Sequence, residues 1–295
     1  MPCIIVIPIY KDQPTAMEQA SIRQTFRVLG RHDIAFVTHA GCALDVYRQI
    51  VEDEKCPLRV ELFDSHYFDS TAHYSDLCFS EAFYLRFQKY DYMLICQTDA
   101  WVFRDELDYW CAQGYDYIGA PIYFPYNERH FTRIFFGIGN GGFCLRRIQH
   151  CLRIVRHDRK RIFIKPRTLM RMYWHYFRFN EAFTCSIRRR LTLIGKCLAK
   201  CVGVNNNIAF YTSRHINEDM LFGSWAADAW GLVDVKLPDE LTAARFAMEI
   251  GAPELYERTG KALPFGCHAF EKWDFTDFWA KHIPLTSKLI PTQQR

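Results

Sequence analysis

The sequence predicts an α/β fold with a mostly parallel sheet and helices on both of its faces. Short apolar runs rich in β-branched residues alternate with segments whose apolar residues recur at helical spacing. The chain has 295 residues and is 49% hydrophobic, which is enough to bury the core of one large α/β domain. No run of 18 apolar residues occurs, so we expect no segment that spans a bilayer.

The predicted elements alternate along the first half of the chain. The strands share a short apolar composition and are expected at residues 3–9, 34–37, 59–63, 92–96, 115–119 and 143–147. The helices share apolar positions three or four residues apart and are expected at residues 14–29, 43–51 and 75–87. Ligands of such sheets bind beyond the carboxyl ends of the strands. Polar residues directly after an apolar strand are therefore the first candidates for chemistry.

The charge of the chain is unevenly distributed. Residues 146–200 contain 16 Lys and Arg but only two Asp and Glu, interleaved with aromatic residues. This pattern favours an anionic partner such as a membrane surface, a phospholipid or a phosphate-bearing substrate. A solvated helical insertion with snorkelling arginines is the alternative. Nucleic acid is not expected, because no nucleic-acid-binding motif accompanies the charge.

The cysteines and the N-terminus predict a cytoplasmic location. The 12 cysteines include no CxxC pair, and several lie inside apolar runs, as buried thiols in a reducing compartment do. The first residues lack the basic and apolar regions of a signal peptide. With the basic segment, this predicts a cytoplasmic protein that is peripheral on the inner face of the plasma membrane.

The sharpest motif is Gln97-Thr98-Asp99, which follows the apolar strand 92–96 at once. A carboxylate at a strand's carboxyl end can bind Mg²⁺ or Mn²⁺, which in turn binds a diphosphate. A structural role in a turn or helix cap is the alternative.

A glycine cluster, Gly137–Gly142, predicts either a tight turn or a stretch of backbone that packs closely against a sugar or acceptor. It matches neither a P-loop nor a dinucleotide-binding fingerprint.

Two later features complete the candidate site. Asn217-Glu218-Asp219 suits a helix start, with Asn217 as the N-cap and the two acids favoured by the helix dipole. A carboxylate there could also take a proton from an acceptor hydroxyl, with a pKa lowered by the dipole. His268 could be a metal ligand or a hydrogen-bonded structural histidine.

In this order, the four features resemble those of the GT-A fold nucleotide-sugar glycosyltransferases. Those enzymes are described by a DxD motif, a glycine-rich loop, an xED motif and a C-terminal His. The segments DAWVFRDEL, YDYIGAP, GNGGFCLRR, NEDMLFG and PFGCHAFEKWD are similar to those of a bacterial GT-A-like family linked to surface polysaccharide synthesis. The resemblance covers residues 3–147 and 205–280.

The resemblance implies a GT-A-like, Rossmann-like α/β fold with a basic helical insertion. It divides the chain into a nucleotide-sugar-binding half, the insertion, an acceptor and catalytic half, and a tail, at residues 1–147, 148–204, 205–283 and 284–295. The implied activity is that of a hexosyltransferase that moves a sugar from a nucleotide diphosphate, with UDP expected, to a hydroxyl of a glycan or lipid-linked acceptor. Inversion and a role in surface polysaccharide or lipopolysaccharide synthesis are the further expectations.

Residue roles follow position by position from the resemblance. Asp99 matches the last Asp of DxD and, with His268, is expected to hold Mn²⁺ or Mg²⁺, whereas Gln97 replaces the first Asp. Asp219 matches the catalytic base, with Glu218 as the second candidate. The residues expected around the donor are Pro8, Tyr10, Thr38, Tyr74, Gln97, Thr98, Asp99, Gly141 and Gly142.

Three alternatives remain open from the sequence. A retaining transferase would share the fold and the metal site but would not need Asp219 as a base. A nucleotidyltransferase would want a glycine-rich basic loop after the first strand, and IPIYKDQPT has no glycine. A non-catalytic module that binds a membrane surface through residues 146–200 would hydrolyse no donor.

Overall fold

The computed structural model describes residues 1–124, 134–156, 161–179, 187–214, 216–230 and 234–284. These residues form a mixed α/β structure with a parallel-rich central sheet flanked by helices, as the sequence predicts. The strands are β1 (Cys3–Pro8), β2 (Asp33–Thr38), β3 (Val60–Leu62), β4 (Tyr92–Cys96), β5 (Ala100–Val102), β6 (Tyr117–Ile118), β7 (Pro121–Phe124), β8 (Ile134–Ile138), β9 (Phe143–Arg147), β10 (Phe163–Ile164), β11 (Ala229–Trp230), β12 (Ala247–Met248) and β13 (Gly266–His268).

The α-helices take the remaining regular positions, with shorter 3₁₀ and π-helical turns between them. They are α1 (Ala16–Leu29), α2 (Asp45–Asp53), α3 (Thr71–Cys78), α4 (Glu81–Arg86), α5 (Leu107–Ala112), α6 (Ile148–Val155), α7 (Pro166–Phe179), α8 (Ile187–Cys201), α9 (Ile208–Thr212), α10 (Glu240–Phe246) and α11 (Ala252–Arg258). Residues 285–295 of the predicted tail lie outside the described residues.

The central sheet has the strand order β3-β2-β1-β4-β9-β6. Strands β3, β2, β1 and β4 are parallel, whereas β9 is antiparallel to both β4 and β6. The register pairs Cys96 with Phe143. The glycine segment that leads into β9 therefore lies beside Gln97, which directly follows β4.

A second sheet has three strands, in the order β12-β13-β5. Strand β5 begins directly after Asp99, and β13 pairs with it in antiparallel orientation so that His268 lies opposite Ala100. This pairing brings two residues that are far apart in sequence to the same edge.

Both faces of the central sheet are covered. Successive residues of β1 point to opposite sides, so Ile5 and Ile7 pack in a cluster with Phe26 of α1. Ile4 and Val6 pack instead in the cluster on the other face, with residues of α3, α4 and α6. Helix α1 begins with a capping box formed by Thr15 and Glu18, which satisfies backbone donors that the first turn leaves open.

The single helix predicted over residues 75–87 is wrong, because two short helices occupy this region. Helix α3 ends at Cys78, and Ser80 starts α4 by accepting a hydrogen bond from the backbone N–H of Phe83. A serine inside an apolar helical pattern thus acts as an N-cap and restarts the helix, as its short hydroxyl side chain favours.

The basic segment is mainly helical where it is described. Helix α6 packs into the core through Ile148, Cys151 and Ile154. Arg146, at the start of the segment, is fully buried, so it is wrong to place this residue on a surface that faces an anionic partner. The division of the chain into domains stays a prediction.

Two further sequence expectations bear on location. Across the described ranges, no helix is both long and apolar enough to cross a membrane. The 11 described cysteines carry free thiols, and six of them are buried. Cys185 lies outside the described residues.

Candidate active site

His268 lies between carboxylates at the edge where β5 and β13 meet. Its Nε2 atom is 3.1 Å from Oδ1 of Asp99 and 3.2 Å from Oε1 of Gln97. Its Nδ1 atom is 3.3 Å from Oε1 of Glu249. Glu249 was not singled out from the sequence. The signal that could have identified it is its position directly after the short apolar strand β12. The structure thus brings Gln97, Asp99 and His268 together.

These contacts fix the charges of the pair. Burial by itself lowers the pKa of His268, but the charges and hydrogen bonds of Asp99 and Glu249 outweigh it and raise that pKa to about 10. Burial likewise works to raise the pKa of Asp99, but the neighbouring imidazolium brings it below its ordinary value. At neutral pH the pair is therefore an imidazolium and a carboxylate.

The glycine loop, Gly139–Gly142, lies against this pair. Asn140 has a φ of 73°, and its Oδ1 atom accepts hydrogen bonds from the backbone N–H groups of Gly142 and Phe143. A Cβ atom on Gly142 would lie 2.0 Å from Nε2 of His268. The backbone N–H of Gln97 also donates to the carbonyl of Gly142, at 2.8 Å. Glycine is required here because the backbone passes directly over the imidazole.

Asp219 contacts the same loop. Its Oδ2 atom accepts hydrogen bonds from the backbone N–H groups of Asn140 at 2.9 Å and Gly141 at 3.2 Å. Its Oδ1 atom accepts from the N–H of Met220 at 2.7 Å. Asp219 therefore caps the π-helical turn Met220–Trp225. The helical residues begin at Glu218, directly after Asn217, so Asn217 precedes a helix start as predicted.

The predicted lowering of the Asp219 pKa is wrong. Burial and the nearby charge of Glu218 raise the pKa of Asp219 to about 6, although its backbone hydrogen bonds act in the opposite direction. The π-helical turn has only six residues, so a dipole contribution is weak beside the cost of burying two adjacent carboxylates.

Glu218 is engaged in a buried ion pair beneath the loop. Its Oε1 atom accepts from Nη2 of Arg146 at 2.7 Å, and its Oε2 atom accepts from the hydroxyl of Ser75 at 3.0 Å. The Arg146 guanidinium also donates to the hydroxyl of Tyr84. A Cβ atom on Gly141 would lie 2.6 Å from Oε1 of Glu218. Because its carboxylate is neutralised by a buried guanidinium, the geometry favours a role for Glu218 in positioning the loop and Asp219.

A cavity of about 300 Å³ opens beside Gln97. The residues that line it are Pro8, Tyr10, Phe68, Asp69, Ser70, Thr71, Tyr74 and Gln97. Four of the residues expected around the donor are therefore in its wall. The segment 68–71 was missed from the sequence, since nothing in its spacing separates it from an ordinary connecting loop.

Two other residues that were expected around the sugar donor, Thr98 and Thr38, are buried and do not line this cavity. Thr98 is buried, and its hydroxyl donates to Oε1 of Glu18, at 3.2 Å. This hydrogen bond ties the turn after β4 to the first turn of α1. Thr38, at the end of β2, is fully buried and is not among the residues that line the cavity.

The side chains around His268 include oxygen and nitrogen atoms of the kinds that bind divalent cations. Within the described parts of the chain, no group of three or more His, Cys, Asp and Glu side chains is arranged to hold a metal. Asp99, His268 and the amide oxygen of Gln97 nevertheless converge within hydrogen-bonding distance. Glu249 orients the imidazole as carboxylates do for histidine ligands of metals. Burial and the negative charges of Glu18 and Asp99 raise the pKa of Glu271 to about 7. Several carboxyl groups therefore lie close together near Asp99.

Comparison with known proteins places the chain in a family. Residues 57–268 match the family described as Protein of unknown function (DUF5672), and the chain belongs to this family. The sequence matches no curated protein.

Similarity to solved structures is limited to parts of the fold. Core-mannan synthase A from Aspergillus fumigatus, in its Mn/GDP form, is 9% identical with a TM-score of 0.34 over 42% of this chain and 43% of that chain. A cytidylyltransferase from Leptospira borgpetersenii is 7% identical with a TM-score of 0.29 over 51% and 61%. TarS 1-349 of S. aureus in complex with UDP is 16% identical with a TM-score of 0.27 over 41% and 36%. At these TM-scores the similarities carry no argument about activity.

Proposed function

We propose that this protein is a glycosyltransferase that moves a sugar from a nucleotide diphosphate, UDP in the first instance, to a hydroxyl of a glycan or lipid-linked acceptor. One observation carries the proposal. His268, which pairs with Asp99, lies against Gly142, and Asp219 accepts hydrogen bonds from Asn140 and Gly141 of the same four-residue glycine loop. A transferase needs a site for a diphosphate and a base for an acceptor close together, and these shared contacts with one loop support such a site.

The cavity beside Gln97 supports the donor half of the proposal. It lies beyond the carboxyl ends of β1 and β4, which is where open α/β sheets bind ligands. Its volume of about 300 Å³ falls within the range of small-molecule sites. The half-exposed ring of Tyr10 could stack on the base, and the amide of Gln97 could bind a ribose hydroxyl. The diphosphate would then extend toward Asp99.

Asp99, His268 and the amide oxygen of Gln97 would hold a divalent cation, with Mn²⁺ and Mg²⁺ as the candidates. When bound, the cation would supply positive charge for the departing diphosphate. Glu249 holds the imidazole ring in place through Nδ1. His268 must lose its Nε2 proton before it can act as a ligand.

Asp219 is proposed to take the proton of the acceptor hydroxyl. Three backbone N–H groups fix its carboxylate, and a pKa of about 6 is closer to neutral pH than that of an ordinary aspartate, which suits a general base. Attack from the side opposite the diphosphate would invert the anomeric centre. Retention is the second possibility for the same site, and NMR of the product anomer separates the two.

The acceptor and the place of action are also part of the proposal. Helices α7 and α8 contain no acidic residue, and this supports contact with an anionic membrane surface on the cytoplasmic side. A transferase in that place would serve bacterial surface polysaccharide or lipopolysaccharide synthesis.

A thermal-shift screen of nucleotide sugars with and without Mn²⁺ tests the proposal. A ligand that binds only the folded state raises its melting temperature, so at least one nucleotide sugar should do so and should lose most of the effect without the metal. Replacement of Asp99 with Asn should remove the metal-dependent part. A chain that no nucleotide sugar stabilises, and that hydrolyses none of them, would be a non-catalytic binding module.

A further inference from the structure

A second cavity, of about 460 Å³, lies between α7, α8 and the π-helical turn Met220–Trp225. Its wall is almost entirely apolar or aromatic and consists of Phe136, Leu169, Met172, Tyr173, Leu193, Lys200, Tyr211, Ile216, Met220 and Trp225. None of these residues is acidic. A volume of this size matches that of a small-molecule site, and the lining suits a hydrocarbon.

This cavity adjoins the proposed catalytic base. Ile216 and Met220 both line it, and the segment Asn217-Glu218-Asp219 runs between them. The backbone N–H of Met220 donates to Asp219 at 2.7 Å. The side chain of Met220 therefore faces the cavity while its backbone holds the carboxylate, so a molecule in the cavity would lie one residue away from Asp219.

Two polar groups lie in the wall. Lys200 donates to the carbonyl of Asn205 at 2.6 Å and to the hydroxyl of Tyr211 at 3.3 Å, and it lies 4.4 Å from the ring centre of Tyr211. No carboxylate of the described residues pairs with it, and burial together with the charge of Arg214 lowers its pKa. Trp225 is 3% exposed, and its indole N–H has no acceptor within the described parts of the chain.

We propose that this cavity binds the hydrocarbon chain of an anionic, lipid-linked acceptor, with its phosphate near Lys200. The proposal rests on the proposed function, since it names the acceptor class of the same site. The apolar wall suits a hydrocarbon chain. Among the described residues, Lys200 has no carboxylate partner and the Trp225 indole N–H has no acceptor, and both suit an oxygen-rich anionic head group.

The outer face of α8 shows where the rest of such a molecule would lie. Exposed apolar side chains recur at helical spacing along it, at Ile187, Leu191, Ile194 and Leu198. Basic residues interrupt this row, and the helix has no acidic ones. A cationic helix with an exposed apolar row is typical of a segment that lies in a membrane interface, which is where a lipid-linked acceptor would be presented.

Isothermal calorimetry with dodecyl phosphate, below the concentration at which it forms micelles, tests the proposal on the full chain. We expect saturable binding of one molecule per chain. Inorganic phosphate should bind at least about tenfold more weakly because it lacks the chain, and dodecyl maltoside likewise because it lacks the charge. A tenfold change corresponds to about 1.4 kcal/mol. Equal binding of all three probes would overturn the proposal.

A pair of variants on α8 localises the binding. Leu193→Trp fills the cavity from its wall, and Thr192→Trp places the same side chain at an exposed position of the same helix that lies outside the apolar row. The first should weaken binding of dodecyl phosphate at least about tenfold, a change of about 1.4 kcal/mol, and the second should leave it unchanged. Equal weakening by both would show that the binding does not depend on the cavity and would overturn the proposal. If circular dichroism shows that Leu193→Trp has lost its fold, Met172→Phe takes its place as the variant that fills the cavity.

The same preparations separate this inference from the proposed function. Donor binding, followed as the thermal shift with a nucleotide sugar and Mn²⁺, should be unchanged in Leu193→Trp. A wild-type chain that binds the donor but not dodecyl phosphate would overturn the lipid-linked acceptor alone. Binding of dodecyl phosphate with the expected variant pattern but without any donor would support the cavity site and overturn the transferase.

Discussion

Replacement of Gly142 with Ala should displace the imidazole of His268 without disturbing the rest of the fold. The added Cβ would lie 2.0 Å from Nε2, 2.3 Å from Cδ2 and 2.5 Å from Cε1 of that ring, and no side chain tolerates contacts this short. Displacement of the ring also disrupts the contact between its Nδ1 atom and Glu249. We expect overpacking to cost about 1–3 kcal/mol of stability.

The larger effect of Gly142→Ala should be on ligand binding. Misplacement of an oriented metal ligand typically costs about 10–100-fold in metal affinity, so calorimetric titration with Mn²⁺ and UDP should show a loss of that order. Gly195→Ala is the matched control, since a Cβ there meets no atom within 4 Å and alanine favours the α8 helix. Unchanged Mn²⁺-dependent binding by a folded Gly142→Ala protein would refute the reasoning that His268 and the loop form one site.

Three further predictions concern Asp219 and the buried ion pair. Asp219→Asn should lower the transfer rate by about 10²–10⁴-fold, as expected for a lost general base, with donor binding intact by thermal shift; near-normal turnover would exclude this role. In the wild type, kcat/KM should rise with pH through about 6, the pKa of Asp219, because the base must be unprotonated, and a profile flat across that range would contradict the assignment. Arg146→Met should cost about 3–5 kcal/mol in denaturant unfolding because it leaves a buried carboxylate unpaired. Arg146→Met combined with Glu218→Leu should recover much of that loss, and a double variant as unstable as the single one would show that Glu218 does not depend on this pair.

The raised pKa of Asp219 also has a consequence for stability. A carboxyl whose pKa is higher in the folded state than in the unfolded state stabilises the fold fully below its unfolded value of 3.8, and this contribution is lost as the pH rises through about 6. Relative to the wild type, Asp219→Asn should therefore gain stability as the pH increases across this window. The free energies of unfolding of both proteins are measured at pH 4 and pH 7. An equal difference between the two proteins at both pH values would contradict the raised pKa of Asp219.

The strands that carry the candidate site could be predicted because their sequences are unambiguous. Residues 92–96 are apolar without interruption, and Gln97-Thr98-Asp99 follows them at once, which is the pattern of a buried strand that ends at a functional edge. The glycine segment before residue 143 was likewise visible, since glycines this closely spaced indicate a turn or a close approach of the backbone to another group.

The parts that could not be predicted depend on contacts distant in sequence. The reversed direction of β9, which brings the glycine loop to Gln97, follows from sheet pairing rather than from local pattern. Arg146 begins a basic run, and only the fold shows that it is paired with Glu218 in the core. The pKa of Asp219 was predicted in the wrong direction because its burial and its neighbours cannot be read from a helix start.

In the proposed site, Asp99, His268 and Asp219 surround one nucleotide sugar. A crystal structure of the chain with Mn²⁺ and UDP, with the metal located by its anomalous scattering, is the decisive test. We expect an anomalous peak between Asp99 and His268, the diphosphate beside it, the uracil ring in the cavity next to Tyr10, and Asp219 on the side of the diphosphate that is open to an acceptor. A metal and nucleotide bound away from these residues, with Asp219 on another face of the ligand, would overturn this arrangement.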